Sequence, residues 1–416
     1  MKKTTMLLTA VLALAAACSR EDATQATNKT KEAATKVEDA VDVATPLGAN
    51  DDPAAREKER FDERWRALGG FSGARPGTAP AAAPPAINVT FLPNGKESFK
   101  TFKTADAINN APVVVPLKGD VSGPSVLKTQ VYLDRVHFSV GGLDGRWGRN
   151  SAIALWWYQR SRGIESAEPG ALDEVTYRSL AAAAGAGPAL VEHAVTEEDL
   201  KGPFVTITGD MYEKAKLDCL CYESVQEKLA EMFHTTTDFL DQLNPDVKFS
   251  ALQAGDRLWV PNVRTPLTQA QPDIARIVVS IQGNTLNAFD ASGNLIFHAP
   301  TTLGSKFDPS PNETVAVQKT VFDPHFHYQP TLFAEVPDDE PEANLNPGPN
   351  SPVGVVWTAL TKPHFGIHGT SDPDSIGYAS SHGCVRLTNW DAAEVGHRVS
   401  PGVPVEFLDT RDTAAR

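Results

Sequence analysis

The chain has 416 residues, 41 % of them hydrophobic, and a formal charge of −14 at pH 7. That length exceeds one compact domain, and that apolar content can bury real cores. The negative balance excludes nucleic acid or an anionic lipid surface as the main partner, since both attract a basic face.

Lys2 and Lys3 precede an apolar run from Met6 to Ala17. The run is too short to span a bilayer permanently, and 1–18 reads as a signal peptide. Leu14-Ala15-Ala16-Ala17-Cys18 resembles a bacterial lipoprotein signal, in which Cys18 is lipidated and becomes the mature N-terminus. Ordinary cleavage after an A-x-A site is the alternative. The resemblance implies membrane contact only through an N-terminal lipid anchor. Ser19 after the cysteine implies sorting to the outer membrane, facing the periplasm. Residues 19–86 are poor in large apolar side chains and end in "RPGTAPAAAPPA", which predicts a disordered tether with a stiff end. A short helix over Phe61–Leu68, anchored by Trp65, is compatible with this.

Residues 121–183 predict a compact all-α unit. Val126, Gln130 and Leu133 fall at helical spacing; an Asp144-Gly145 turn precedes a helix with Ile153, Trp156 and Trp157; a third helix starts near Asp173 and carries Tyr177 and Leu180. The segment resembles the three-helix peptidoglycan-binding domain at Gln130, Asp144, Gly145, Gly148, Gln159 and Leu180. A generic helical bundle with the aromatics in its core is the alternative. Residues 221–263 then read as strand, helix, helix, strand. Leu229, Met232 and Phe233 share one helix face, and Phe239, Leu240 and Leu243 share the next, which Asn244-Pro245 stops. This small α+β unit resembles a lysin-motif domain, which binds glycan containing N-acetylglucosamine. It departs from that pattern where Glu223–Val225 replaces the usual Gly-Asp after the first strand.

From 274 to 408 the pattern becomes mainly β. "RIVVSIQGNTLNAFDASGNLIFHAP" alternates apolar and polar residues across two turn signals, which predicts a β-meander. Further strands are expected near Glu313–Val321, Val353–Thr358, Phe365–His368 and Val403–Leu408. Residues 333–352, "FAEVPDDEPEANLNPGPNSP", are acidic, Pro-rich and without period. Such an insertion reads as a lid or binding loop, or as a solvated loop with no role.

The cysteines are Cys18, Cys219, Cys221 and Cys384. With Cys18 lipidated an odd number remains, so at least one stays unpaired or pairs between molecules. Cys219 and Cys221 read as small half-buried residues, too close in sequence for an easy mutual disulfide. Cys384 lies in "SSHGCVRLTN", two residues after His382 and two before Arg386. Thiol attack on an acyl group needs an available thiolate, a base within reach and N–H groups facing the oxygen that becomes negative. "HFGIHGTSDPDSIGYASSHGCVR" holds residues for all three. The helical metal spacing of His364 and His368 falls in a strand-like stretch without a carboxylate at suggestive distance, so no metal is expected. An inert buried thiol would not be flanked by Ser381, His382, Gly383 and Arg386.

His368-Gly369-Thr370 followed by Ser381-His382-Gly383-Cys384-Val385-Arg386 resembles the signature of the L,D-transpeptidase catalytic domain, over about 274–408. One departure is "PSPNET" at 309–314, where the family has a Thr-Pro-Thr-Gly-like turn. The resemblance implies a mixed β-sandwich with short helices and an enzyme that needs no cofactor. It implies Cys384 as nucleophile and His368 as base, its ring oriented through the Gly369 carbonyl. The Gly383 and Cys384 N–H groups would form the oxyanion hole, with His382 structural or assisting and Ser381 orienting it. Thr370 and Arg386 would bind substrate, Arg386 through a carboxylate unless it forms a structural salt bridge. The partners implied are peptidoglycan stem peptides and glycan, with a stem peptide, a murein-linked lipoprotein or a free D-amino acid as acceptor. The alternatives are an L,D-carboxypeptidase or endopeptidase using the same residues, and a non-enzymatic lipoprotein tethered to peptidoglycan. Asp391 and Glu394 are expected to favour the N-terminal dipole of a helix beginning near Asn389.

Overall fold

The computed structural model describes residues 89–264, 273–305, 308–333 and 336–409. The signal peptide, Cys18, the tether and the helix expected at 61–68 lie outside them.

A helical unit comes first, and it starts earlier than 121. Strands β1 (Phe91–Pro93) and β2 (Val113–Val115) pair in parallel around helix α1 (Ala105–Asn110). Three-residue strands carry too little alternation to be read from sequence. Helices α2 (Pro124–Arg135), α3 (Arg149–Arg162) and α4 (Glu174–Ala183) follow. Pro124 opens α2, where a missing N–H costs nothing, and the Asp173 carboxylate caps α4 by accepting from Thr176 N–H. Leu127, Val131, Leu155, Tyr158, Tyr177 and Leu180 pack with β1 and β2 into one core.

Strand β3 (Leu190–Ala194) and short helices α5 (Glu197–Leu200) and α6 (Met211–Lys214) come next. They lead to α7 (Val225–Met232), α8 (Thr237–Leu243) and β4 (Arg257–Pro261). Here the structure corrects the reading. The strand expected at the start of 221–263 is not formed; β4 pairs antiparallel with β3, from Leu190↔Pro261 to Ala194↔Arg257. The strand–helix–helix–strand unit therefore begins at 190, with residues 195–224 inserted between its first strand and α7. A second correction lies inside the insertion. Cys219 and Cys221 form a disulfide, because the chain there holds their Cα atoms 5.2 Å apart, within bonding range. Cys384 is then the free cysteine among the described residues.

Eight of the remaining strands build one mixed sheet, and two form a separate antiparallel pair. They are β5 (Arg276–Ser280), β6 (Thr285–Phe289), β7 (Leu295–Pro300), β8 (Thr314–Phe322), the peripheral β9 (Phe326–Tyr328) and β10 (Ala343–Leu345), β11 (Val356–Leu360), β12 (Gly366–His368) and β13 (Val385–Arg386). Helix α9 (Asn389–Arg398) and strand β14 (Pro404–Leu408) close the chain. The sheet order is β13-β12-β11-β8-β14-β5-β6-β7, with β12/β13 and β14/β5 parallel. The 274–408 region is thus mainly β with short helices. The meander's polar face is not open to water, however. Thr285, Asn287 and His298 are buried, because the chain after α2 lies along β7, with Ser139 N–H donating to the His298 carbonyl and His298 N–H to the His137 carbonyl.

Asp391 and Glu394 do more than complement a helix dipole. Both are buried on α9 and bind the guanidinium of Arg264, at 2.6 and 2.7 Å, and Arg264 also pairs with Asp134 of α2. The dipole reading overlooked a cation that lies 127 residues from Asp391 in sequence.

Candidate active site

The edge strand β13 and its neighbour β12 position the signature residues. Leu387 N–H donates to the His368 carbonyl at 2.8 Å, and the segment after β7 pairs with the chain around Cys384. Arg386 and Thr302 exchange backbone hydrogen bonds, Ser381 N–H donates to Leu303, and Ser305 N–H donates to Ser381. Gly383 has φ +103° there, and an added Cβ would meet the Phe365 ring at 2.7 Å, so the turn before the cysteine requires glycine.

Cys384 and His368 line one cavity of about 880 Å³ together with Ser381, His382 and Arg386. Burial pushes the Cys384 thiol up to about 11 against the smaller opposing pull of the Gly366 backbone and Arg386. Burial, and then the Arg386 charge, pull His368 down to about 3, against its bond to Gly369. At neutral pH the pair rests as thiol and imidazole. His368 Nδ1 donates to the Gly369 carbonyl at 2.7 Å, which leaves Nε2 as the basic nitrogen. The Trp357 indole, directly across from His368 in the β11–β12 register, stacks on the ring at 5.3 Å.

The other expected residues fall as follows. Among the described residues, the Gly383 and Cys384 N–H groups have no intramolecular acceptor. Ser381 does not orient His382; its hydroxyl donates to the Cys384 carbonyl at 2.7 Å and so fixes the turn. His382 meets the Phe333 ring edge-on at 4.8 Å. Arg386 forms no ion pair among the described residues, and its Nε is buried without a hydrogen-bond partner. Thr370 is not brought to the cavity: it is buried, its N–H donates to Asn389 Oδ1 and its hydroxyl accepts from Asp372 N–H.

Several contributors escaped sequence reasoning. Ser310 accepts from Gly304 N–H and donates to the Gly383 carbonyl at 2.8 Å, tying the turn to the "PSPNET" stretch whose departure from the family pattern marked it. One cavity wall is the β9–β10 hairpin and its neighbours, so 333–352 is partly structured. Behind it stands the disulfide-bonded insertion. Leu220 N–H donates to Pro347 O, Asn350 N–H donates to Leu220 O, and the Tyr212 hydroxyl donates to Pro341 O. Met211 of that insertion reaches the cavity itself. Although the chain is acidic, the cavity lining carries Lys319 and Arg386 against one carboxylate, Asp308.

Comparison with known proteins places these residues in context. The family model of the L,D-transpeptidase catalytic domain matches residues 274–407. A putative L,D-transpeptidase YkuD of Bacillus licheniformis is 31 % identical over 181 residues, covering 44 % of this chain and 92 % of that protein. A probable L,D-transpeptidase YbiS of Escherichia coli K12 is 29 % identical over 136 residues, covering 32 % of this chain and 44 % of the relative. Among solved structures, L,D-transpeptidase 3 of Mycobacterium tuberculosis is 18 % identical with a TM-score of 0.28, covering 38 % of this chain and 75 % of that one.

Proposed function

The chain belongs to the L,D-transpeptidase family, and from that premise we propose that it acts on peptidoglycan stem peptides through a thioester on Cys384. The observation that carries the reading is the shared cavity of Cys384 and His368, with Nδ1 of the imidazole committed to the Gly369 carbonyl.

Sulfur attacks the carbonyl of the third, diamino-acid residue of a tetrapeptide while His368 Nε2 takes the thiol proton. A resting thiol of high pKa requires that the two events be coupled, because free thiolate is scarce. The oxygen that becomes negative is held by the Gly383 and Cys384 N–H groups. The tetrahedral intermediate collapses with loss of D-Ala, whose nitrogen receives the proton from His368, and a thioester remains. An incoming amine attacks it and gives up a proton to His368, the C–S bond breaks as the new amide forms, and His368 returns the proton to the Cys384 sulfur. Arg386 meets a substrate carboxylate, a reading supported by its unpartnered buried Nε. Transfer outcompetes hydrolysis when the acyl-enzyme is walled off and the acceptor positioned, which the hairpin wall favours.

The rest of the chain fits a wall-directed enzyme: a helical unit of peptidoglycan-binding type, a lysin-motif-like unit for glycan, and an N-terminal lipid anchor holding it in the periplasm at the outer membrane. Mass spectrometry after incubation with disaccharide-tetrapeptide muropeptide tests the reading. Cross-linked dimer, absent with Cys384→Ala, is expected. Tripeptide without dimer would move the reading to hydrolysis or to an acceptor not supplied, and no product with no Cys384 adduct would end it.

A further inference from the structure

The peptide unit joining Gly369 to Thr370 is hydrogen-bonded at both ends. Its carbonyl accepts from His368 Nδ1 at 2.7 Å, and its N–H donates to Asn389 Oδ1 at 3.2 Å. Asn389 Oδ1 also accepts from Val355 N–H at 3.3 Å. On the other side Asn389 Nδ2 donates to Glu231 Oε1 at 2.8 Å and to the Pro349 carbonyl at 3.1 Å. Donors on one face and acceptors on the other settle which way the carboxamide points. The approach is close: Gly354 has φ +60°, and an added Cβ would lie 2.0 Å from Asn389 Oδ1.

Glu231 belongs to α7, in the strand–helix–helix–strand unit, 158 residues before Asn389. A carboxylate from one unit thus ends a chain of aligned dipoles, through a carboxamide and a peptide, at the imidazole of another. We propose that Glu231 is a positioning residue for acyl transfer, orienting Asn389 and, through the Gly369–Thr370 peptide, favouring the imidazolium that His368 becomes when it takes the thiol proton. The inference rests on the roles proposed above for Cys384 and His368. Hydrogen bonds in series polarise one another, so negative charge on Glu231 makes the Gly369 carbonyl a better acceptor. No proton leaves Glu231. It stands to His368 as a buried carboxylate stands to its histidine in a hydrolase triad, with two amide groups between.

The surroundings of Glu231 give this arrangement a pH dependence. The Tyr222 hydroxyl donates to Glu231 Oε2 at 3.1 Å, and Glu227 lies one turn earlier on α7. His234 of the same segment, Arg264 of the linker, and Glu394 and His397 of α9 line the same 270 Å³ cavity. His234 and Arg264 are both held by Asp134, and Glu394 is held by Arg264. Burial pushes Glu231 up to about 7; Asn389 and Tyr222 oppose the shift and Glu227 adds to it. Since the charged form favours the imidazolium, turnover rises with pH through about 7.

Steady-state kinetics of the full chain on disaccharide-tetrapeptide, from about pH 5 to about pH 9, test this with Glu231→Gln and Tyr222→Phe. Glu231→Gln should lower kcat about 10-fold with KM little changed, the size of effect that orienting partners of a reactive ring show. It should also remove the rise near pH 7. Tyr222→Phe takes a donor from the carboxylate and should move that rise to higher pH. Wild-type kcat and pH profile in Glu231→Gln overturn the inference, as does a loss confined to KM. If Glu231→Gln does not fold, an unmoved profile in Tyr222→Phe overturns it. A wild-type chain with neither turnover nor a Cys384 adduct overturns the underlying reading first, so the two failures are told apart.

Discussion

Cys384 and His368 illustrate how burial can serve a nucleophile that is not ionised at rest. Desolvation acts on both in the direction of neutrality, up to about 11 for the thiol and down to about 3 for the imidazole. A preformed thiolate–imidazolium pair would need the opposite shifts. Alkylation of Cys384 by iodoacetamide in the full chain should therefore climb about tenfold per pH unit through neutrality and level off only near 11. A plateau with its midpoint below neutral pH would reveal a preformed ion pair and sink the coupled proton transfer. At this scale the placing of Cys384 and His368 in one cavity was legible, because a local signature brings them together. Ser310 and Trp357 were not. Their contacts to Gly383 and His368 depend on strand pairing and on a turn, neither of which the neighbouring residues announce.

Among the elements, helices were easier to read than short strands. Helices α2, α3, α4, α7 and α8 stand where apolar spacing put them, and Asp173, Ser224 and Thr236 cap three of them through side-chain oxygens. Strand β3 is hard to read from sequence because residues 195–224 separate it from α7. The same insertion explains why the acidic segment at 333–352 is partly ordered despite its composition. Leu220 with Tyr328, Ala343 and Leu345 makes a small apolar core, and Asn350 Nδ2 donates to the Cys221 carbonyl and Glu227 Oε1 at 3.0 and 2.7 Å. Asn350→Ala should loosen the cavity wall from behind and cost about 1–2 kcal/mol, read from denaturant melts. It should also raise the ratio of tripeptide to cross-linked product. A lowered stability with an unchanged product ratio would remove the insertion from acceptor selection and leave it a purely structural brace.

Long-range charge pairing joins these units, and it is the least legible feature of all. Nothing in the residues around Arg264 announces its partners. It is buried among Asp134 of α2 and Asp391 and Glu394 of α9, while His234 adds a contact to Asp134 at 2.8 Å. Asp134 and Glu394 are both held at about 2, since the Arg264 charge outweighs their burial together with the histidine contacts; Asp391 is pushed up by its own burial in spite of Arg264. For carboxylates held low, the stabilisation is complete above their ordinary values near 4 and is lost as pH falls towards about 2. Arg264→Met keeps much of the volume and removes the cation. It leaves carboxylates buried without it, at a cost of about 3–5 kcal/mol at neutral pH. Without the guanidinium those carboxylates titrate upward, because desolvation is then opposed only by hydrogen bonds and the nearby histidines. The two proteins should consequently answer mild acid differently. As pH falls from about 7 to about 5, the wild-type contribution of Asp134 and Glu394 stays level, whereas the variant regains stability as its carboxylates take up protons. Urea titrations at the two pH values measure this directly. An equal loss at both would mean that Arg264 acts through packing alone, and that the units are held together by their apolar contacts rather than by this shared charge.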